Sequence, residues 1–456
     1  MSRNQQDLMR EIRALLVIQL LHVFIKAGEL RLVSLDRWAA DINEAEWKLR
    51  VVSLDPLPRY HALSYRWGAP IDEEPFKSYT NELVAPIRIG NGELKVARNL
   101  QDFLIQVKED KKLKHEEFWI DAICINQGDR TERSYQVGNM MAEIYRRAKS
   151  VIAWLGNSDA HTERAFEHIA KVADRNNLKA FGIPTGQRSS EDFERDKPGW
   201  EAIGKIFDRT YWNRSWIIQE LVLPEHFYDN RSIEGTPSAA TSMKASRNYG
   251  VPAILEATKS SMAKEHWTNV LLYTLIRSRH CEATDLADKA YALLGLIQGP
   301  QGIQKLPALL CPPVEGSDCS PGKTYLDVAT QLLEDCEDLL VLSCAEGFRN
   351  EKLNGADLPS WVPDWSVKYP LGLRVTGYKR YQADSFFFSP NMNLSREEKI
   401  ALWPATFDKS ELTLTIRGIQ VDTISFVAES KRDVLNCKPF PRLLDMSNGG
   451  FLADSD

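Results

Sequence analysis

Between residues 117 and 156 the hydrophobic period of the chain changes twice. Residues 118–125 are apolar apart from Asp121, few in number, and rich in aromatic and β-branched side chains, which predicts a strand covered on both faces. Asn126, Gln127, Gly128 and Asp129 break that run. Asp129 followed three residues later by Glu132 is a capping-box pattern, and Val137, Met140, Met141, Ile144, Tyr145 and Ala148 recur at the spacing of one helical face. Arg146, Arg147 and Lys149 fall where the C-terminal end of a helix dipole favours positive charge, and residues 151–155 open another apolar strand. The predicted unit is β-α-β with parallel strands and the helix as scaffold.

The pattern extends in both directions. Short strands are expected within 28–66, among them 30–33, 49–54 and 61–65, and Val96, Leu100, Phe103, Leu104 and Val107 predict a helix before the strand at 118. Three strands alternating with two helices predict an α/β fold, an open and mostly parallel sheet flanked by helices, in which ligands bind beyond the carboxyl ends of the strands. The polar residues after Tyr65 and Ile125 would then stand at the rim. Downstream, 186–198 reads as a polar loop and 228–252 as a linker or long surface loop. Helices at 271–276, 287–297 and 325–333 and alternating strand pairs at 412–427 make 253–456 a C-terminal mixed α+β region. Residues 14–25 are nearly all apolar but fall short of the ~20 that a membrane span needs. No small-residue cleavage site follows, so 1–27 is expected to hold an apolar helix, buried or partner-facing, and no membrane span.

Composition narrows the function. With 456 residues, 43% apolar, 26% charged and a net charge of −6, the chain is a globular protein long enough for two or three domains, with no global reason to bind nucleic acid or an anionic membrane. Seven cysteines, an odd number without a CxxC pair, favour reduced thiols in a cytoplasmic setting and argue against structural zinc. Gly316 to Thr324 resembles a phosphate loop, but five residues separate its glycines and Pro321 lacks the N–H such a loop uses, so it reads as a solvent loop. The chain has no GxGxxG after a strand, no GxSxG and no HExxH, which weakens oxidoreductase, serine hydrolase and zinc protease readings. Cys124, in a predicted buried strand with no basic neighbour in sequence, reads as a core thiol; a thiol-dependent hydrolase is the weaker alternative.

Three segments are dense in aromatic and polar side chains: Ser64-Tyr65-Arg66-Trp67-Gly68, Asp121 with Asn126 and Gln127, and WNRSWIIQE at 212–220. They resemble the fungal heterokaryon-incompatibility (HET) domain. Its ALSY-x-WG segment corresponds to 62–68, W-I-D-x-x-C-I-N-Q to 119–127, the E-R…Q-V…M…I-Y helix to 132–145 and R-x-W-x-x-Q-E to 214–220. The resemblance covers about 55–224; DKAYALLGL (288–296) and LPSWVPDWS (358–366) are similar to the C-terminal extension of such proteins, while 228–252 and the chain after 367 match little. It implies a HET domain over 28–227 with a TIR- or flavodoxin-like fold, and a cell-death role, akin to innate immunity, when genetically different fungal cells fuse. The implied partners are an incompatibility or immune-receptor protein, or further copies of the chain. HET domains are thought to be distant relatives of TIR domains, some of which destroy NAD. The essential glutamate of those relatives lies in a W-C-x-x-E-L-like segment, which WIIQEL at 216–221 resembles, so the carry-over lands on Glu220 as the catalytic residue. NAD would be the substrate; no other cofactor and no metal is implied.

The chemistry of that bond suits a single carboxylate. Cleavage between ribose and pyridinium passes through an oxocarbenium-like state, and nicotinamide leaves neutral without a general acid. Trp67 would stack on a ring, Arg66 would meet pyrophosphate, and Ser64, Asp121 and Asn126 would hydrogen-bond the ligand, with Tyr65 and Trp216 completing the substrate-binding set. Structural roles compete with each. Glu220 is otherwise a carboxylate paired with Arg214 or a helix end, Asp121 a buried acid with a protein partner, Trp67, Trp119 and Trp216 core or interface residues, and Arg66 an ion-pair partner of Asp72 or Glu73. The rival function is a non-enzymatic signalling module that kills by self-assembly or partner binding.

Overall fold

The computed structural model describes residues 25–170 (except 57, 75 and 91), 190–224 and 250–298, then 320–335, 339–345, 358–367 and isolated positions at 310 and between 395 and 416. The predicted N-terminal helix, nearly all of the 228–252 segment and residues 417–427 lie outside the described residues. The chain divides into two compact units, Met1–Ser320 and Pro321–Asp456. Among the described residues no helix is long and apolar enough to cross a membrane.

The first unit is an α/β fold around a seven-stranded open sheet. Its strands are β1 (Glu29–Arg37), β2 (Glu46–Ser53), β3 (His61–Tyr65), β4 (Ala85–Ile89), β5 (Gly92–Val96), β6 (Phe118–Trp119) and β7 (Ser150–Trp154), in the order β5-β4-β2-β1-β6-β3-β7. β3 runs parallel to β6 on one side and to β7 on the other, and β2 runs parallel to β4, while β1 is antiparallel to β2 and β6, and β4 to β5. The predicted β-α-β unit is therefore present, with β3 inserted between its two strands. All five β3 residues are buried, as a strand covered on both faces requires.

Helices cover both faces. α1 (Arg98–Glu109) buries Leu100, Phe103, Leu104 and Val107, and Phe103 meets Phe118 of β6 and Trp154 of β7 with ring centroids 5.9 and 5.6 Å apart. The next strand residue, Trp119, packs instead on Tyr145 at 5.6 Å, and successive strand side chains point to opposite faces. Hence α1 lies on one face, and the helix carrying Tyr145 lies on the other. That second helix is α3 (Arg130–Tyr135) and α4 (Met141–Arg147), joined by a π-turn over Gln136–Met140. Asp129 caps it through Thr131 N and Glu132 N, at 2.9 and 3.1 Å. Glu132 does not return to the Asp129 amide; it pairs with buried Arg31 of β1 and accepts from Asn126 N at 2.8 Å.

Four local expectations are corrected. Residues 118–125 are not one strand: β6 ends at Trp119 and one helical turn, α2 (Asp121–Cys124), follows, closed by Cys124 N on Ile120 O at 2.7 Å. A short apolar run satisfies either period, and here the turn carries Asp121 off the sheet. The β4–β5 hairpin stands where the sequence reading places only a helix, and it turns at Gly90, whose φ of +52° suits glycine. The polar stretch from residue 190 onward is not loop but the first half of α5 (Ser190–Phe207), whose later residues Ala202, Ile203 and Ile206 pack with Ala165. Pro321 to Thr324 form the first turn of α10 (Pro321–Asp335), where proline needs no N–H partner, and Lys323 pairs with Asp327.

Beyond β7 and α5 the first unit adds α6 (Ile217–Val222), α7 (Gly250–Lys264), α8 (Trp267–Arg277) and α9 (Asp288–Leu294), the last continued by a 3-10 turn over Gly295–Ile297. All six residues of α6 are buried, and α7, α9 and α4 pack around it. The second unit contains α10 and the antiparallel pair β8 (Ala405–Asp408) and β9 (Thr413–Ile416), with Trp361 Nε1 donating to Leu412 O at 3.1 Å.

Candidate functional site

Ser64 is the fourth residue of β3, on the face covered by α4 and α6. Its hydroxyl donates to Glu220 of α6 and accepts from the Tyr211 hydroxyl at 2.6 Å. Both carboxylate oxygens of Glu220 are also held by Arg214, each at 3.2 Å. Glu220 is 1% exposed. Burying two ions costs several kcal/mol each, which a two-point ion pair with a further hydroxyl can offset. Burial pushes the Glu220 carboxyl above its ordinary range, while Arg214 and Ser64 draw it part of the way back. Burial works against the Arg214 charge too, but Glu220 and Asp121 outweigh it and strengthen its hold on the proton.

Arg214 also faces a cavity of about 410 Å³ beyond the carboxyl ends of β3 and β6. Arg66, Trp67, Asp121, Trp216 and Asp288 line it with Arg214. Two indoles there are fixed by carboxylates: Trp67 Nε1 donates to Asp121 Oδ2 and Trp216 Nε1 to Asp288 Oδ2, each at 3.1 Å. The second Asp121 oxygen accepts from Ala122 N at 2.7 Å, a bond that the α2 turn makes available. Burial raises Asp121, offset mainly by Arg214, and burial lifts Asp288 to about 6 against the Trp216 hydrogen bond. Arg66 donates to Thr210 O at 3.0 Å and stands 3.8 Å from Glu282, not beside Asp72 or Glu73 as expected; Glu73 meets Lys205 instead. Asn99 of α1 fixes the Arg66 carbonyl at 2.6 Å.

The structure thus brings Arg66, Trp67, Asp121 and Trp216 to one cavity, with Ser64 and Glu220 behind Arg214 rather than on the lining. Tyr65 is buried, and burial together with the Asp121 charge holds its hydroxyl well above the ordinary range. Asn126 is not on the lining; its Oδ1 accepts from Gly128 N at 3.1 Å and shapes the loop before α3. Cys124 is a core thiol, with Sγ 3.3 Å from Ile120 N and its pKa pushed by burial to about 12. His61 turns to Ser150, at 2.6 Å.

Sequence reasoning missed part of the wall. Val137 and Met141, read as scaffold, line the cavity with Arg133, and the π-turn shifts Val137 out of strict helical register with α4. Tyr211 went unremarked inside the WNRSW neighbourhood. Glu282 and Asp288 come from beyond the motif-rich stretch: residues 213–215 bond to Glu282 as an isolated bridge, and Ser215 N donates to its carbonyl at 2.9 Å. The signal available for Asp288 was its place at the head of DKAYALLGL.

An open α/β sheet covered on both faces, with a charged and tryptophan-walled cavity at the strand ends, is the class of molecule these observations define. Residues 60–220 match the family described as Heterokaryon incompatibility protein (HET), so this stretch of the chain is similar to that family. It is similar to Heterokaryon incompatibility protein 6, OR allele, of Neurospora crassa, with 29% identity over 200 residues, 37% of this chain and 28% of that relative. The chain therefore spans well under two thirds of the relative's length. No solved structure matches it.

Proposed function

We propose that this protein acts in fungal heterokaryon incompatibility as a cell-death effector, and that its HET domain cleaves NAD at the nicotinamide-ribose bond through Glu220. The observation that carries the reading is the position of Glu220, held by Ser64 and Arg214 directly behind a cavity walled by Trp67 and Trp216. The indole faces take the planar rings, and Arg66 and Arg133 meet the pyrophosphate. Arg214 exchanges one anion for another: as the dinucleotide enters, its guanidinium turns from Glu220 to phosphate, and the released carboxylate holds the ribose hydroxyls and stabilises the oxocarbenium-like transition state.

The test gives purified protein, dilute and clustered, NAD and follows nicotinamide release. Glu220→Gln is expected to lower release by about 100-fold or more, the usual scale for losing one preorganised electrostatic group. Absence of release under every assembly condition, with Glu220→Ala still killing cells, overturns the enzymatic reading. One observation favours the non-enzymatic alternative, in which self-assembly or partner binding triggers death: both Glu220 oxygens are engaged by protein groups in a residue only 1% exposed.

A further inference from the structure

The acids of the cavity are not equivalent. Asp121 has both oxygens engaged, by Trp67 Nε1 and by its neighbour's amide. Asp288 accepts at Oδ2 from Trp216, and among the described residues no donor reaches its Oδ1. It comes from the segment 282–288, outside the 60–220 stretch that matches the family, so the cavity is completed by a wall of separate origin. The indole it fixes supplies a flat apolar face, and its own free oxygen supplies an acceptor beside that face.

The charges on the lining divide by chemistry. Arg66, Arg133 and Arg214 suit phosphate oxygens, whereas Asp121, Glu282, Asp288 and the two indole faces suit a cationic ring. A planar cation carrying an N–H donor fits both halves of the Asp288–Trp216 arrangement.

Resting on the reading of the cavity as an NAD site, we propose that Asp288 is its specificity-determining residue: Oδ1 accepts from the carboxamide N–H of the pyridinium ring while Trp216, pinned by Oδ2, carries that ring. The nicotinamide end then lies beside Arg214 and the Glu220 it shields, and the adenine end is not read by Asp288.

The experiment uses the full chain at pH 7.5 and measures binding before turnover, by stopped-flow tryptophan quenching. The probes are NAD, nicotinic acid adenine dinucleotide, which puts a carboxylate in place of the carboxamide, and nicotinamide hypoxanthine dinucleotide, which alters only the purine. The acid analogue should bind at least about tenfold more weakly than NAD, since it loses a donor and sets two carboxylates together, and the hypoxanthine analogue within about threefold. Asp288→Asn should bring the acid analogue within about threefold of NAD. An unchanged ratio in Asp288→Asn, or discrimination against the hypoxanthine analogue, overturns the assignment while leaving the NAD reading intact. If none of the three binds, the NAD reading and this inference fall together.

Discussion

Glu220 and Asp288 meet the cost of burial in different ways. Glu220 has a guanidinium on both oxygens and a hydroxyl besides, whereas Asp288 has one indole N–H, and burial raises its carboxyl from 3.8 to about 6. Between those two values the folded protein keeps a proton that the unfolded chain has lost, so this group's contribution to stability falls as the pH rises from 3.8 to about 6 and stays low above it. The full shift would correspond to roughly 3 kcal/mol at 1.36 kcal/mol per unit, and partial exposure reduces that to about 1–3 kcal/mol. Asp288→Asn removes the charge and keeps an oxygen for Trp216. It should therefore melt higher than the native protein at pH 7.5, by a few degrees, with the gain shrinking towards pH 4. Melting curves of the two proteins across pH 4–8 check this, and a difference that stays flat with pH would show that the carboxyl is not raised. Such a gain, set against lost ligand discrimination, is the exchange of stability for function expected where a charge is retained for binding. At this scale the sequence singled out Arg66, Trp67, Asp121 and Trp216, which the fold brings to one cavity, and Glu220, which lies behind it, because they sit in short segments crowded with polar and aromatic groups. Asp288 heads the mostly buried α9, 72 residues from the Trp216 it fixes; DKAYALLGL marks the segment, but only the fold joins the two residues.

Elements were legible where one period dominated. α1 and the Arg130–Arg147 region follow their apolar spacing, yet the π-turn between α3 and α4 was not readable, because a 3.6-residue pattern assigns Val137 to the same buried face as Ile144. Residues 118–125 failed for the opposite reason: eight residues, all apolar but Asp121, are too few to separate a strand from a strand followed by one helical turn. Contacts between elements left even less trace in the pattern, and Gly295 shows why. Its backbone is ordinary, with φ of −64° at the end of α9, so no conformational need marks it. A Cβ there would lie 2.7 Å from the Ala142 Cβ of α4 and 2.3 Å from Gln219 Oε1 of α6. Gln219 can turn aside, but Ala142 has nothing to move except its helix. Arg146 of α4 seals the same junction by donating to Gly295 O at 3.3 Å and Gln298 O at 2.8 Å. Gly295→Ala should lower stability by about 1–3 kcal/mol, the usual cost of overpacking, and appear as an earlier urea midpoint with an unchanged slope. A midpoint equal to that of the native protein would mean that α4, α6 and α9 have slack between them.

For the whole molecule, the stretch that matches the HET family ends at residue 220, in the middle of α6, and the structure makes that end a poor place for a domain to stop. Ile217, Ile218, Leu221 and Val222 are 7% exposed or less, and the helices packed around them include α7 and α9, from beyond residue 250. On the far side Leu271, Ala290 and Leu293 are fully buried and Ile297 is 1% exposed, and the later helices pack on one another as well as on α6. Each large apolar side chain returned to water costs about 1.5–3 kcal/mol, and losing part of the cover over four of them amounts to several kcal/mol, comparable with the ~5–15 kcal/mol that separates a folded domain from its unfolded chain. A chain ending at Pro224 should consequently fail to fold cooperatively, whereas one ending at Ser320, the limit of the first compact unit, should keep a single sharp thermal transition and the cavity with its Asp288 wall. Circular dichroism melts and hydrogen exchange on the two fragments distinguish the outcomes. Cooperative melting of the shorter fragment at the temperature of the longer one would make the matched stretch self-sufficient and leave the 250–297 helices as an appendage. The expected result makes them part of the same folding unit, so that a substitution in α9 reaches Glu220 through packing as well as through the cavity.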